Sequence, residues 1–393
     1  MRNMKLPDGW SEEYLFNVVN VINNSVKPYE GQRSYLSTGD LNDNKIKNVI
    51  NVNFDDKPSR ANQNVEVGDV IFAKMKETKK TLIITKDIKD IIVSTGFFVL
   101  RPKHIINSKY LYFYLNSSKF LNRKDTLCTG ATQSALNLQG FNKIKIVLPP
   151  LENQKNIVKV LEKAENALEK RKEANKLLDE YLKSVFVEMF EAESTSVKIV
   201  NDVVKSIDAG WSTGGEEREI GADEIAVLKI SAVTKGIFDA SQYKVIAKDI
   251  EIKKHLSCKK GDILFSRANT RELVGASCIV DKDYDNLILP DKLWRITVDE
   301  DIITREFFLY LINTDNIRKE ISKLATGTSG SMLNISMAKF KSIELSIPSI
   351  DKQKKFSDIY LKIKNIQDKA QINEIEIANL FNSLMKDAFK YCI

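Results

Sequence analysis

Two histidines, His104 and His255, are all the imidazole this chain of 393 residues contains. Standing far apart, they supply neither a hydrolase triad nor a metal cluster. The four cysteines, Cys128, Cys258, Cys278 and Cys392, have no C-x-x-C spacing, so neither a zinc site nor a redox pair is indicated. They read as buried free thiols of a protein kept in a reducing cytoplasm. Asp249-Ile250-Glu251-Ile252-Lys253 has the acid-x-acid-x-Lys spacing of a nuclease metal site. The nearest Pro-Asp, Pro290-Asp291, lies downstream rather than upstream, and the stretch reads as an ordinary charged strand or helix face. There is no GxxxxGK[ST] loop and no GxGxxG after a strand. Gly327-Thr328-Ser329-Gly330 is glycine-spaced only and follows a helix. Pro149-Pro150 follows Leu148 and precedes Leu151, so it is not the [DN]PP[YF] element of an amino-methyltransferase. With no catalytic set and no metal set, the chain reads as a binding protein rather than an enzyme.

What the chain does offer is hydrogen-bond donors on loops. Lys74, Lys76, Lys79 and Lys80 follow one Gly-Asp strand, and Arg267, Asn269, Thr270 and Arg271 follow another. Arg and Asn make paired hydrogen bonds to guanine and adenine edges, whereas Lys and Thr mainly position on phosphate. The polar loops holding Thr129, Thr132, Gln133 and Ser134, and Thr326, Thr328 and Ser329, present small hydroxyls and open backbone N–H groups to a phosphate. Lys253 and Lys254, with Lys259 and Lys260, form a local basic cluster. Singly, each has a plain structural reading: turn chemistry for the Thr/Gly loops, solvation for the lysines. Their recurrence in both halves of the chain points to function.

The bulk properties fit a soluble globular protein of two or three domains, at 43% hydrophobic and 29% charged residues. No apolar run is long enough to span a bilayer, and the first eight residues lack the apolar stretch of a signal peptide. The net charge of +7 is uneven: +8 over residues 1–150, 0 over 151–190, −3 over 191–349 and +2 over 350–393. The first segment has the charge of a polyanion binder, though ordinary surface charge is the other reading.

These segments must be positioned by something, and two long helical stretches are the candidates. Residues 151–190 hold no glycine or proline and begin after Pro149-Pro150, where proline suits a first turn. Their apolar seam runs Ile157, Leu161, Ala164, Leu168, Arg171, Asn175, Leu178, Leu182, Val185, Met189 in alternating steps of four and three. The second stretch, residues 350–393, has the seam Ile359, Ile363, Ile366, Ala370, Asn373, Ile377, Leu380, Leu384. Each strip needs a partner, and the other strip is at hand. In an antiparallel pair Arg171, Asn175 and Asn373 meet at the centre and fix register; alternatively they face solvent in a less regular seam.

The preceding segments, 1–150 and 191–349, are themselves copies. Several short strands with one helix, Ser108 to Asn122 with Ser108 as its N-cap, suggest a small curved sheet or barrel in each. Gly68-Asp69 through Lys74 matches Gly261-Asp262 through Arg267 at an offset of 193. Leu111 to Ser117 matches Phe307 to Asn313 at 196, Thr129-Gly130 through Leu136-Asn137 matches Thr326-Gly327 through Leu333-Asn334 at 197, and Gln154-Lys155 matches Gln353-Lys354 at 199.

The stretch VLPPLENQKNIVKVLEKAENALEKRKEANKLLDEYLKSVFVEMF resembles the central region of the specificity subunit of type I restriction–modification systems. The duplicated plan resembles that family along the whole chain, with Ser349 and Ile350 departing from the Pro-Leu of the first copy. The resemblance implies an α+β fold: two similar mixed α/β target recognition domains, joined by two long helices in an antiparallel coiled coil with pseudo-twofold symmetry. It implies that segments 1–150 and 191–349 each read one half of a bipartite DNA site. The helices would be spacer and dock for two methyltransferase subunits. This chain would hold no cofactor; S-adenosylmethionine would come with those subunits, and ATP and magnesium with restriction subunits. The competing reading is a coiled-coil scaffold whose globular ends bind proteins.

Overall fold

The computed structural model describes residues 5–130, 134–190, 196–327 and 332–392. The chain forms two compact units. The first comprises Met1–Ala174 with Ala370–Ile393, and the second Asn175–Lys369.

The first unit begins with β1 (Ser11–Tyr14), a single turn α1 (Leu15–Val18) and β2 (Val19–Ile22). Then follow β3 (Arg33–Leu36), the hairpin β4 (Leu41–Asn42) and β5 (Lys45–Ile46), β6 (Ile50–Val52), β7 (Ala61–Asn64), β8 (Val70–Ala73), β9 (Thr81–Ile83), β10 (Ile92–Ser94) and β11 (Phe97–Pro102). Helices α2 (Ser108–Asn116), α3 (Ser118–Leu127) and α4 (Leu138–Phe141) precede β12 (Lys145–Leu148) and the long α5 (Leu151–Phe190). One sheet has the order β6-β3-β10-β7, a second β2-β11-β8-β9, and β12 returns antiparallel to β1. The aromatic core joins sheet to helices: Phe72 stacks on Phe98 at 5.3 Å and meets Phe120 edge-on at 5.1 Å, while Phe98 stacks on Phe141 at 5.0 Å.

The second unit repeats this plan. Its elements are β13 (Ser196–Ile199), α6 (Val200–Val203), β14 (Val204–Ala209), β15 (Ala226–Leu228), β16 (Tyr243–Val245), β17 (Ser257–Cys258), β18 (Ile263–Ser266), β19 (Ala268–Asn269), β20 (Ser277–Ile279), β21 (Tyr284–Ile288) and β22 (Leu293–Val298). They continue with α7 (Arg305–Ile312), α8 (Asp315–Leu324), β23 (Leu333–Asn334), α9 (Met337–Lys341), β24 (Glu344–Ile347) and α10 (Ile350–Ala388). The sheets are β16-β15-β21-β17 and β14-β22-β18-β20, and β13 pairs antiparallel with β24 as β1 does with β12. Phe265, Trp294 and Phe340 fill the places of Phe72, Phe98 and Phe141, with centroids 5.6 and 4.4 Å from Phe265.

Two expectations about α2 change. Its cap is Asn107, whose side chain accepts from the backbone N–H of Lys109 and Tyr110, so Ser108 is the first helical residue. The helix ends at Asn116. Ser117 then closes one helix and opens the next, its hydroxyl donating to Tyr114 O at 2.6 Å and accepting from Phe120 N.

Within the first unit, Val158 and Leu161 near the start of α5 share a core with Met385 and Phe389 near the end of α10. Within the second, Leu182, Val185 and Phe190 near the end of α5 pack with Phe356, Tyr360 and Ile363 near the start of α10. The helices therefore pair antiparallel. On α5, Leu161 and Ala164 are buried and Leu168, Arg171, Asn175 and Leu178 half-buried. On α10 the seam departs from expectation after Ile363. Ile366 is 52% exposed, and Asn373 and Leu380 also face solvent. Gln367, Glu374 and Phe381 turn inward in their place, while Ala370, Ile377 and Leu384 turn inward as expected. The four-three alternation is kept, but it runs through Gln367, whose amide donates to Asp179 at 2.7 Å.

One repeat match also shifts. Leu136 N donates to Lys74 O, and Ile335 N to Arg267 O, at 2.8 and 2.9 Å. Asn137 caps α4 and Ser336 caps α9. Leu136 is thus equivalent to Ile335 at an offset of 199, not to Leu333, and the polar loop of the second unit is two residues longer.

Candidate nucleic-acid interface

The Gly-Asp turns that open β8 and β18 are built on left-handed glycines, Gly68 at φ 93° and Gly261 at φ 85°. Asp69 is 1% exposed. It caps its own turn by accepting from Glu66 N at 2.8 Å, and the Arg101 guanidinium grips both oxygens at 2.9 and 3.1 Å. Asp262 likewise accepts from Lys259 N at 2.9 Å, with Arg295 at 3.8 Å; burial pushes its carboxyl up. These aspartates aim the strand that follows.

At the far end of that strand stands a cation in each unit, and both are tied. Lys74 Nζ donates to Thr95 O at 2.8 Å and lies 4.7 Å over the Phe98 ring, with burial lowering its pKa. Arg267 Nε donates to Asp291 O and Nη2 to Asp291 Oδ2, both at 2.8 Å. Thr95 and Asp291 occupy the same turn of the duplicated fold. Lys74 and Arg267 therefore pin the strand end to the neighbouring hairpin. The Asp291 carboxyl is pushed up by burial, but the Ser212 hydroxyl and the Arg267 guanidinium outweigh this and hold it below the usual range.

Beyond the cation, the two loops singled out in sequence come together. Ala135 bridges both Met75 and Thr129, and Lys76 N donates to Ser134 O at 3.0 Å. In the second unit β19 pairs with β23, and Thr326 and Asn334 exchange bonds of 2.8 Å. Helices α3 and α8 brace these loops from beneath. Lys124, 1% exposed, donates to Met75 O and Thr78 O at 2.8 and 2.7 Å. Arg318 donates to Glu272 O at 2.8 Å, and burial lowers its pKa. Neither brace was singled out in sequence, where each reads as the charge of an amphipathic helix.

The expected residues sort accordingly. Lys76 and Lys79 are exposed, Lys80 is half-buried and donates to Thr38 O at 2.7 Å, and Thr129 is exposed with its hydroxyl accepting from Asn137. Ser134 and Asn269 are half-buried; Asn269 Oδ1 accepts from Thr270 N. Thr270, Arg271, Thr326 and Lys253 are exposed, and Lys254 Nζ donates to Ala209 O. That last contact brings the basic cluster to the loop after β14, where Ser212 bonds Asp291. Thr132, Gln133, Thr328 and Ser329 lie outside the described residues. All four cysteines are free; Cys258, Cys278 and Cys392 are buried, whereas Cys128 is only half-buried. Among the described residues no group of His, Cys, Asp and Glu could hold a metal, and no helix is long and apolar enough to cross a membrane.

Residues 13–178 and 197–377 match the family model of the type I restriction modification DNA specificity domain. The chain belongs to that family. It is 23% identical to the type I restriction enzyme EcoKI specificity subunit of Escherichia coli K12, covering 98% of this chain and 89% of the relative. It is 24% identical to the MjaVIII specificity subunit of Methanocaldococcus jannaschii, covering 93% and 88%. A solved S subunit of a type I restriction–modification system from M. genitalium shares the fold, with a TM-score of 0.63 over 98% of both chains at 14% identity.

Proposed function

We propose that the first unit reads one half of a bipartite, asymmetric DNA site and the second unit the other half. Helices α5 and α10 act as spacer and as dock for two methyltransferase subunits. The observation that carries this reading is the loop assembly built twice on one scaffold with different side chains. At the offset of 193 that relates the tied Lys74 to the tied Arg267, Lys76 in the first copy stands where Asn269 stands in the second, and Thr78 where Arg271 stands. The scaffold contacts are shared and the outward groups differ, as two half-sites of different sequence require. This chain positions DNA and holds no catalytic group. S-adenosylmethionine enters with the methyltransferase subunits, ATP and magnesium with restriction subunits, and the complex works in the cytoplasm. The test is to express the chain with its methyltransferase partner and map methylated adenines across a genome. The expected result is a bipartite, non-palindromic motif. A palindromic motif, or heparin binding with no preference among DNA sequences, counts against it.

A further inference from the structure

Each unit has a pocket where two short helices meet the last turns of a long one. In the first unit it holds about 590 Å³, between Phe113, Asn116 and Lys119 at the α2–α3 corner and Asn382, Met385 and Lys386 on α10. In the second it holds about 350 Å³, between Tyr310, Asn313 and Asn316 at the α7–α8 corner and Lys183, Phe186 and Val187 on α5. The corner residues are related by an offset of 197 and the helix residues by 199. The pockets are therefore one feature made twice. Asn116 and Asn313 play the same part, donating to the carbonyls of Tyr112 and Leu309 at 2.9 and 2.8 Å. Asn116 is 8% exposed, and its Oδ1 has no hydrogen-bond partner among the described residues.

We propose that the two pockets seat the same segment of two copies of one partner, through an apolar side chain flanked by a carboxylate. The proposal rests on the reading above and takes that partner to be the methyltransferase subunit. A feature repeated in both units suits a partner present twice. Phe113, Phe381 and Phe389 in one pocket, and Tyr310 and Phe186 in the other, give an apolar wall that a DNA backbone has no use for. Around the first pocket stand Lys79, Lys119, Lys386 and Lys390, none in an ion pair among the described residues, and its one acid, Glu165, accepts from the Tyr112 hydroxyl at 3.2 Å. This rim asks for a carboxylate. In the second pocket Lys183 and Asp315 satisfy each other at 3.3 Å. Attachment to the first unit is accordingly the more salt-sensitive of the two.

The experiment uses the full chain co-expressed with the methyltransferase, with bound copies counted by native mass spectrometry. Lys119→Glu with Lys386→Glu alters the first pocket and Val187→Glu the second; all three side chains are exposed. Each set is expected to weaken one copy at least tenfold, leaving one partner per chain, and the combination to leave none. A wild-type chain that takes up no methyltransferase defeats the functional reading itself. If wild type binds two copies and so does the triple variant, only the pocket proposal falls. It falls equally if the lysine reversals weaken DNA retention while two copies stay bound, since the rim would then be a phosphate surface. Should the reversals fail to fold, Lys119→Ala with Lys386→Ala and Val187→Ser repeat the comparison; threefold weakening or more supports the pocket, and unchanged binding overturns it.

Discussion

Gln154 and Gln353 are fully buried, and each makes the same three bonds. The Oε1 of Gln154 accepts from Asn107 N, and its Nε2 donates to Ile105 O and Pro149 O; Gln353 serves Thr304 N, Ile302 O and Pro348 O. Either Gln→Ala substitution strands three buried or half-buried backbone groups, and is expected to cost its unit about 2–4 kcal/mol in denaturant unfolding. The Gln-Lys pair was legible as a repeat, but its role was not, because main-chain partners leave no mark in the letters. Lys124 was hidden for the same reason, since its bonds go to the Met75 and Thr78 carbonyls. Burial pushes the Cys258 thiol up to about 12 and the Cys392 thiol up to about 11. Iodoacetamide at pH 8 should therefore label half-buried Cys128 first, as read by peptide mass spectrometry. Asp291 has a depressed folded pKa. Its contribution to stability is complete above the ordinary carboxylate value of about 3.9 and is lost as pH falls through the folded value. Asp291→Asn should flatten that part of an acid-denaturation profile.

Among elements, the long helices were the most legible because period and length signal together. Their register was less so. Ile366 reads as a seam residue by type, yet the alternation places polar Gln367 there, and an apolar letter one position away captured the pattern. The corrected seam predicts a contrast. Ile363→Ala, at a position 4% exposed, should cost about 2–4 kcal/mol, whereas Asn373→Ala should change stability by less than about 0.5. Parallel denaturant curves distinguish the two. The polar loops show the opposite limit. The letters Leu-Asn repeat at 197, while burial and capping align Leu136 with Ile335 at 199. Identical residues drew the match away from the position that fills the core.

For the whole molecule, the duplication was legible from ordered offsets, while the compact units are defined by packing alone. Helix α5, at 40 residues and about 1.5 Å each, is about 60 Å long. If the helices set the unread gap between half-sites, deleting one heptad from both α5 and α10 should shorten the methylated motif's gap by about three base pairs. An unchanged gap would sink that idea. The discontinuity of the first unit bears on how the chain is made. Tyr110 and Tyr114 pack against Phe389 at 5.4 and 5.8 Å, and Trp10 against Tyr391 at 5.8 Å. On a ribosome Phe389 and Tyr391 arrive after every residue of the second unit. The second unit, one unbroken stretch, is complete before the first unit receives its second segment, so the first unit closes its core later. Until the final turn of α10 emerges, the first unit waits with one wall of its core open, and a nascent-chain protease assay should find it cleavable after its neighbour has become resistant.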